Sequence, residues 1–353
     1  MPSKKNRKRR CPIPLASTSV LRPMTSRKRA RQVTTMFHKL TSQHAVALQE
    51  GDMKLAKSSE KSLEEMGGRK EYQRASQLST SFHSTSRWVL GYLANNGWLY
   101  GIKQSNGGDN EVSNSRSKRE RGKDQAPRRK TKILEVGAIN TELLDAAEVE
   151  SDNNGYSPLY LSQLTHKKRK HKYNIHVRAI DIHSMEERIE EVDFLHLPTI
   201  SLKDITQRLD VIVCSMVLNC VTSPSDRGKM LALLYHQLQP GGLCFLTLPK
   251  SCLTKSAFLT PLLFQKMLGS EGVGFEIKST KDSPKVSFFI LQRPVEEEHT
   301  RSATRLNPTF TQRIIRNKGK KFPNQFSVVL QVEHVFGTGT LEGGIKQNAN
   351  DKK

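Results

Sequence analysis

A doubly wound α/β domain with a seven-stranded sheet, preceded by a helical region and flanked by disordered basic termini, is the fold class this sequence predicts. Three observations predict it. Beyond about residue 132 the chain breaks into short, almost continuously apolar runs separated by helical patterns, as strands do when helices cover both faces of a sheet. One helical pattern runs into Leu238-Gln239-Pro240-Gly241-Gly242-Leu243, a helix-to-strand junction marked by a proline and two glycines. Third, 35% hydrophobic residues and 22 glycines in 353 residues supply apolar material for one sizeable core, not two.

Residues 1–33 mix Lys/Arg clusters (Lys4 to Arg10, Arg27 to Arg31) with Pro and Ser and show no apolar period, which predicts a disordered basic arm. Residues 34–103 form the helical region. Apolar residues recur at three- and four-residue steps from Thr35 to Gln49 and from Met53 to Met66, with Gly67-Gly68 as a stop, and a third run spans Arg69 to Tyr100. That run holds both tryptophans, Trp88 and Trp98, which suit either packing on the main domain or a roof over an active site. Residues 104–131 are polar, Gly/Ser/Asn-rich and basic, a linker. Residues 132–292 are the α/β domain. Its strands are Ile133 to Val136, Ile175 to Asp181, Val192 to Leu195, Leu209 to Cys214, Leu243 to Leu248, Phe275 to Lys278 and Val286 to Leu291, and the last two read as an antiparallel hairpin at a sheet edge. Helices are expected over Arg227 to Leu238 and Lys255 to Leu268. Residues 293–353 form a basic C-terminal tail.

Charge separates the parts. The stretches 1–31, 113–132, 166–178 and 301–321 together carry +31, the whole chain +23, and the remainder −8. Basic appendages on an acid-leaning body suit a polyanionic partner such as nucleic acid. The most apolar run, Val211 to Val221, is 11 residues long and holds Ser215 and Asn219. It falls short of the roughly 20 residues that span a bilayer. Cys11 to Leu21, with Pro12 and Pro14, is no signal-peptide core. The five cysteines form no CxxC pair and read as reduced, small hydrophobes of an intracellular protein. His166, His171 and His176 straddle a Lys/Arg run that repels divalent ions, so no metal site is expected. Phe310 to Phe326 interleaves Arg313, Arg316, Lys318, Lys320 and Lys321 with aromatics, a pattern shared by single-strand RNA binders and disordered tails.

The candidate site follows from the strand ends. Glu135-Val136-Gly137 places an acid and one glycine at the first strand-to-helix turn, where an open α/β sheet holds a nucleotide-like ligand. A diphosphate needs a fuller glycine loop; a nucleoside without phosphate does not. The single Gly137 therefore points to an adenosyl ligand such as S-adenosylmethionine. Asp181 ends the second strand, where a carboxylate accepts hydrogen bonds from ribose hydroxyls. Asp181 lies 44 residues after Gly137, and the interval includes a basic insertion near 162–174 with Lys167 to Lys170, an RNA contact or a solvated charge run. Asp193 and Phe194 suit the adenine amine and ring, or a surface acid beside a core aromatic. After the fourth strand, Ser215 and Asn219 are the polar side chains placed to position a base or, equally, to cap the strand end.

Taken in order, these elements resemble a Class I (Rossmann-like) S-adenosylmethionine-dependent methyltransferase, with an expected strand order of 3-2-1-4-5-7-6. Ile133 to Asn140, Val177 to Pro198 and Asp210 to Ser251, with Ser84-Thr85-Ser86-Arg87-Trp88 upstream, resemble the fungal 25S rRNA adenine-N(1) methyltransferase family across about residues 70–292. The resemblance implies methylation of N1 of an adenine in large-subunit rRNA, a pre-60S ribosomal particle as partner, and a nuclear and nucleolar location. It implies cofactor contacts at Gly137 and Asp181. Exocyclic-amine methyltransferases carry an Asn/Asp-Pro-Pro-aromatic loop after strand four, and Ser215-Met216-Val217-Leu218 has no such prolines. A ring nitrogen with a free lone pair needs orientation and no base. Metazoan relatives include a sensor of S-adenosylmethionine, so a noncatalytic cofactor-binding protein stands as the alternative.

Overall fold

The computed structural model describes residues 26–80, 85–103, 128–148, 173–184, 186–198, 207–295, 310–317 and 321–336. Its contacts divide the chain into two compact units, between residues 83 and 84. The boundary falls inside the region 34–103 that sequence reads as one.

The first unit is three helices: α1 (Arg27–Glu50), α2 (Met53–Glu65) and α3 (Gly68–Thr80). Ser26 caps α1 through the Arg29 N–H, and Asp52 caps α2 through the Leu55 N–H at 3.0 Å. Between α1 and α3, Ala30, Val33 and Ala75 form a small core, and Phe37 stacks on Tyr72 with ring centroids 4.4 Å apart. Helix α1 thus begins at Arg27, inside the expected disordered arm, because Ala30 and Val33 have an apolar face to bury.

The second unit opens with α4 (Thr85–Asn95) and a 3₁₀ turn (Trp98–Tyr100), so the expected run Arg69 to Tyr100 is not one helix. Trp88 packs edge-on against Phe245 and Phe288, at 5.2 and 5.1 Å, and Trp98 is buried. Strands β1 (Ile102–Lys103) and β2 (Arg128–Arg129) pair antiparallel, and β2 begins three residues before the expected end of the linker. Arg129 donates to both carboxylate oxygens of the buried Asp210, at 2.5 and 2.6 Å, and the Lys132 N–H adds a third donor at 2.7 Å.

The main sheet comprises β3 (Thr131–Val136), β4 (Ile175–Asp181), β5 (Glu190–Glu191), β6 (Leu209–Ser215), β7 (Leu238–Pro249), β8 (Glu276–Asp282) and β9 (Val286–Gln292), in the order β5-β4-β3-β6-β7-β9-β8. Written in sheet-strand numbers this is the expected 3-2-1-4-5-7-6. Strands β5 to β7 in that order are parallel, β9 and β8 antiparallel. Helices α5 (Glu142–Glu148), α6 (Pro224–Gln237), α7 (Lys250–Thr254), α8 (Pro261–Leu268) and α9 (Val332–Phe336) complete the unit.

Three expectations are corrected. Val192 to Leu195 is not a strand: pairing stops at Glu191, and Phe194–His196 is a 3₁₀ turn whose apolar side chains still face the core. Lys255 to Leu268 is not one helix. The Ser256 hydroxyl accepts the Phe258 and Leu259 N–H groups, at 2.9 and 3.1 Å, which turns the chain, and Thr260-Pro261 starts a new helix. Nor is the C-terminal region a tail throughout, because Phe310, Phe326, Val328, Leu330 and Val335 are buried in the main core. This strap lies against α6 so closely that a Cβ at Gly228 would overlap the Val329 carbonyl oxygen.

Candidate cofactor and acceptor site

Parallel pairing brings the carboxyl ends of β4, β3, β6 and β7 side by side: Val136 lies opposite Ile180 and Cys214, and Ser215 opposite Thr247. Gly137 and Asp181 therefore begin the loops of adjacent strands, as expected. Gly137 adopts φ +70°, a region costly for residues with a Cβ. The space a Cβ would fill is taken by Val217 Cγ2, from the loop after β6. The glycine thus serves an intramolecular approach that the sequence does not reveal.

The N–H groups of Gly137 and Ala138 both donate to Ile180 O, at 2.8 and 3.0 Å, and Asn140 Oδ1 accepts the Glu142 N–H at 3.2 Å. The first turn of α5 carries Glu142 and Asp145. A turn whose donors point inward, followed by an acidic helix start, repels a diphosphate. The preference for an uncharged nucleoside at this turn rests on that electrostatics as well as on the missing glycines.

Glu135 is buried, and its Oε2 has no hydrogen-bond partner. Burial, with the Glu142 charge adding to it, pushes the Glu135 carboxyl up to about 8. A buried carboxyl oxygen left open in this way fits a ligand that brings a cation or an N–H donor. Asp181 Oδ1 accepts the His183 N–H at 2.9 Å, which fixes its rotamer at the end of β4. The next residue, Ile182, is 50% exposed, an apolar surface beside that carboxylate.

Asp193 and Phe194 divide. Asp193 caps the 3₁₀ turn through the Leu195 N–H at 2.9 Å and lies 3.1 Å from His196 Nδ1. Phe194 is 2% exposed within the core, so its ring is not offered to an adenine. Phe194 is thus a core aromatic, beside an acid that stays partly exposed.

The loop after β6 is the second half of the site. Met216 has φ +60°, a strained value for a side-chain-bearing residue, and is 36% exposed. Ser215 Oγ shares hydrogen bonds with Thr85 Oγ1 (2.8 Å) and Thr247 Oγ1 (3.0 Å). Its hydroxyl ties α4, β6 and β7 together, the strand-end cap that the sequence also allows. Asn219 is half-buried: Nδ2 lies 3.5 Å from Cys220 Sγ, and the buried Oδ1 has no partner. Arg227, at the start of α6, holds the loop from behind. Nε donates to Val221 O (2.8 Å), one terminal nitrogen to Thr222 O (3.0 Å) and the other to Ser327 O of the strap (2.7 Å). The guanidinium lies 4.6 Å over the Phe326 ring, and burial lowers its pKa to about 10. The places of Met216, Val217 and Arg227 are not visible in the sequence, where Ser215 and Asn219 within an apolar run are the only signal for the first two.

The basic insertion with Lys167 to Lys170, and His166 and His171, lie outside the described residues. Among the described residues no group of three potential ligands could hold a metal ion, and no helix is long and apolar enough to cross a membrane. Cys214, Cys244 and Cys252 are buried free thiols, and burial pushes Cys214 up to about 12; Cys220 is exposed on the loop.

The loop, Arg227 and most of the strap fall within residues 159–328, which match the model of the family "25S rRNA (adenine(2142)-N(1))-methyltransferase, Bmt2". Over that span the chain is similar to the Bmt2 family. The match holds Asp181, Asp193, Ser215 and Asn219, whereas Glu135 and Gly137 precede it. A relative from Saccharomyces cerevisiae (strain ATCC 204508 / S288c), named 25S rRNA (adenine(2142)-N(1))-methyltransferase, is 31% identical over 154 residues, 44% of this chain and 42% of the relative. The chain thus matches about two-fifths of that relative's length. Solved structures with lower likeness include an S-adenosylmethionine dependent methyltransferase from Mesorhizobium loti (10% identity, TM-score 0.32, 60% of this chain and 99% of that one). Another is the N-methyltransferase NodS from Bradyrhizobium japonicum with S-adenosyl-l-homocysteine (12% identity, TM-score 0.29, 47% and 79%).

Proposed function

We propose that the protein is an S-adenosylmethionine-dependent methyltransferase that modifies N1 of an adenine in large-subunit rRNA, within a pre-60S particle in the nucleolus. The observation that carries this reading is the match of residues 159–328, which include the whole acceptor loop, to a family named for that reaction. The residues at the sheet end fit the cofactor. Glu135 Oε2 is an open acceptor for the ligand's ammonium group, and Asp181 stands where ribose hydroxyls are held.

When bound, S-adenosylmethionine supplies a methyl group already activated on a sulfonium. The protein's task is then positional. Asn219 Oδ1, buried and unpartnered, can accept a hydrogen from the exocyclic amine of adenine, which turns the adjacent N1 toward the strand ends. N1 holds a free lone pair at neutral pH, so no side chain removes a proton before transfer. The same oxygen lies beside the positive charge that develops on the ring. Lys4 to Arg10 and Arg27 to Arg31 fit a nuclear import signal and a nonspecific RNA contact equally well, and the first of these supports the nuclear part of the proposal.

Mass spectrometry of nucleosides from rRNA incubated with the full chain and S-adenosylmethionine tests the reaction. N1-methyladenosine is the expected product. Methyl on the exocyclic amine or a ribose oxygen overturns the acceptor assignment, and cofactor binding without any RNA product favours a sensor. Imaging a fluorescent fusion tests the location, and exclusion from the nucleolus refutes it.

A further inference from the structure

We propose that α7, the turn that follows it and the C-terminal strap form a phosphate-contacting surface that leads an RNA strand to the acceptor loop, the loop after β6. The proposal rests on the reading of RNA as substrate and names where that substrate is held. Residues 250–260 and 301–332 contain no Asp or Glu, and among the described residues they contribute Lys255, Arg313, Arg316 and Lys321, with Lys250 paired to Asp282 of β8 at 2.9 Å. Folding brings the described parts of these two acid-free segments together. The N–H groups of Ile315 and Arg316 both donate to Ala257 O, at 2.9 and 3.1 Å, the Asn324 N–H to Lys255 O at 3.1 Å, and the Ser256 hydroxyl to Phe326 O at 2.6 Å.

The location follows from the sheet. Thr247 lies opposite Ser215, β7 ends two residues later at Pro249, and α7 with the turn that follows it continues directly from there. On its other flank the strap is joined to the acceptor loop through Arg227. The opposite rim is acidic on balance: Asp181, Glu186, Glu187, Glu190, Glu191 and Asp193 follow β4 and surround β5, against Arg178, which pairs with Glu190, and Arg188, which pairs with Glu186 and Asp145. A polyanion is therefore drawn to the strap side of the acceptor loop and repelled from the cofactor side.

The side chains are arranged for phosphate more than for base stacking. Phe310 and Phe326, which in sequence suggest stacking platforms, are core residues. Phe322 lies between two cations, with the Arg316 guanidinium 4.9 Å and Lys321 Nζ 5.6 Å from its ring centroid. Arg316 also donates to Thr254 O at 3.0 Å. The ring thus holds two cations in place before RNA arrives, which reduces the ordering needed on binding. Lys255, Arg313 and Lys321 are exposed.

The test compares the full chain with a Lys255→Gln/Arg313→Gln/Lys321→Gln variant, binding a labelled 20-nucleotide single-stranded RNA followed by fluorescence anisotropy over a salt series. A Lys266→Gln/Lys278→Gln variant, altered on α8 and β8, is the control. The expected result is a log affinity against log salt slope shallower by about 2 in the triple variant, at roughly 0.7 per phosphate contact removed. The KM for RNA should rise while S-adenosylmethionine affinity stays as in the unaltered chain. A slope unchanged by the triple substitution, or changed equally by the control, overturns the surface. So does an unaltered chain that binds no RNA at low salt, or a strap that captures a protein in its place. RNA binding with the expected slope but no N1-methyladenosine leaves the surface standing and removes the reaction.

Discussion

Replacing Glu135 by Gln isolates the buried carboxyl from everything else at the site. With the carboxyl pushed up to about 8 and its Oε2 unpartnered, the ligand-free protein at pH 7 holds it protonated in about nine molecules of ten. If a cationic cofactor binds only against the carboxylate, the apparent Kd exceeds its limiting value by roughly 100-fold at pH 6, 11-fold at pH 7 and 2-fold at pH 8. About 0.9 proton should leave per ligand bound at pH 7. Calorimetry of S-adenosylmethionine binding, in two buffers of different ionisation enthalpy across pH 6 to 7.5, reads both quantities. Glu135→Gln should flatten the pH dependence and abolish the buffer-dependent heat. Stability has its own signature. Because the folded value lies above the ordinary 4.5, the contribution is complete below pH 4.5 and is lost as pH rises through about 8. The variant should therefore gain on the unaltered protein by a few kcal/mol at most, at about 1.4 kcal/mol per pH unit within that window. Wild-type affinity independent of pH, with no proton release, would refute the pairing of Glu135 with a cationic ligand.

Asn219→Ala should lower kcat by roughly 3- to 10-fold, the worth of one hydrogen bond, and leave cofactor affinity unchanged by calorimetry; an equal loss in both would place Asn219 in cofactor binding. Arg227→Met strands the carbonyls of Val221, Thr222 and Ser327 and should cost about 3 kcal/mol in urea unfolding, with Arg227→Lys recovering only part; an unchanged midpoint refutes the tether. Gly228→Ala should free the strap, read as faster limited proteolysis after residue 310, while a strap as resistant as before would mean the close approach to Val329 can relax.

Strands and their order were legible because β3, β6 and β7 are buried on both faces, as β4 is toward its carboxyl end, so each reads as a largely apolar run with turn residues after it. Elements whose apolar residues do not report their backbone were not. Val192, Phe194 and Leu195 face the core from a 3₁₀ turn, and a short apolar run has no period to tell that from a strand. In Lys255 to Leu268 the helical pattern continues across a break made by one hydroxyl, Ser256, although Thr260-Pro261 announced the restart. The strap was hidden by its own charge: Phe326, Val328 and Leu330 alternate toward the core, but Lys/Arg density nearby pointed to a tail. At the site, Gly137 and Asp181 could be placed because strand ends locate them. The role of Val217 could not, since its contact with Gly137 spans 80 residues of sequence.

That contact also shows how the two halves of the site depend on each other. Val217 occupies the space beside Gly137, so the turn expected to admit the cofactor and the loop expected to hold the acceptor share one packing surface. The loop is then fixed by groups that touch neither ligand: Met216 N–H on Thr247 O at 3.0 Å, Ser215 on Thr85 and Thr247, and Arg227 on Val221 and Thr222. Methyl transfer to a nitrogen that needs no deprotonation gains its rate from alignment, and alignment is lost with displacements of about 1 Å. A loop held by backbone carbonyls and a strained Met216, in place of mobile side chains, supplies that rigidity. It follows that loosening the strap, 100 residues beyond Arg227 in the chain, should disturb the acceptor more than the cofactor, because Ser327 reaches the site only through the guanidinium that holds the loop.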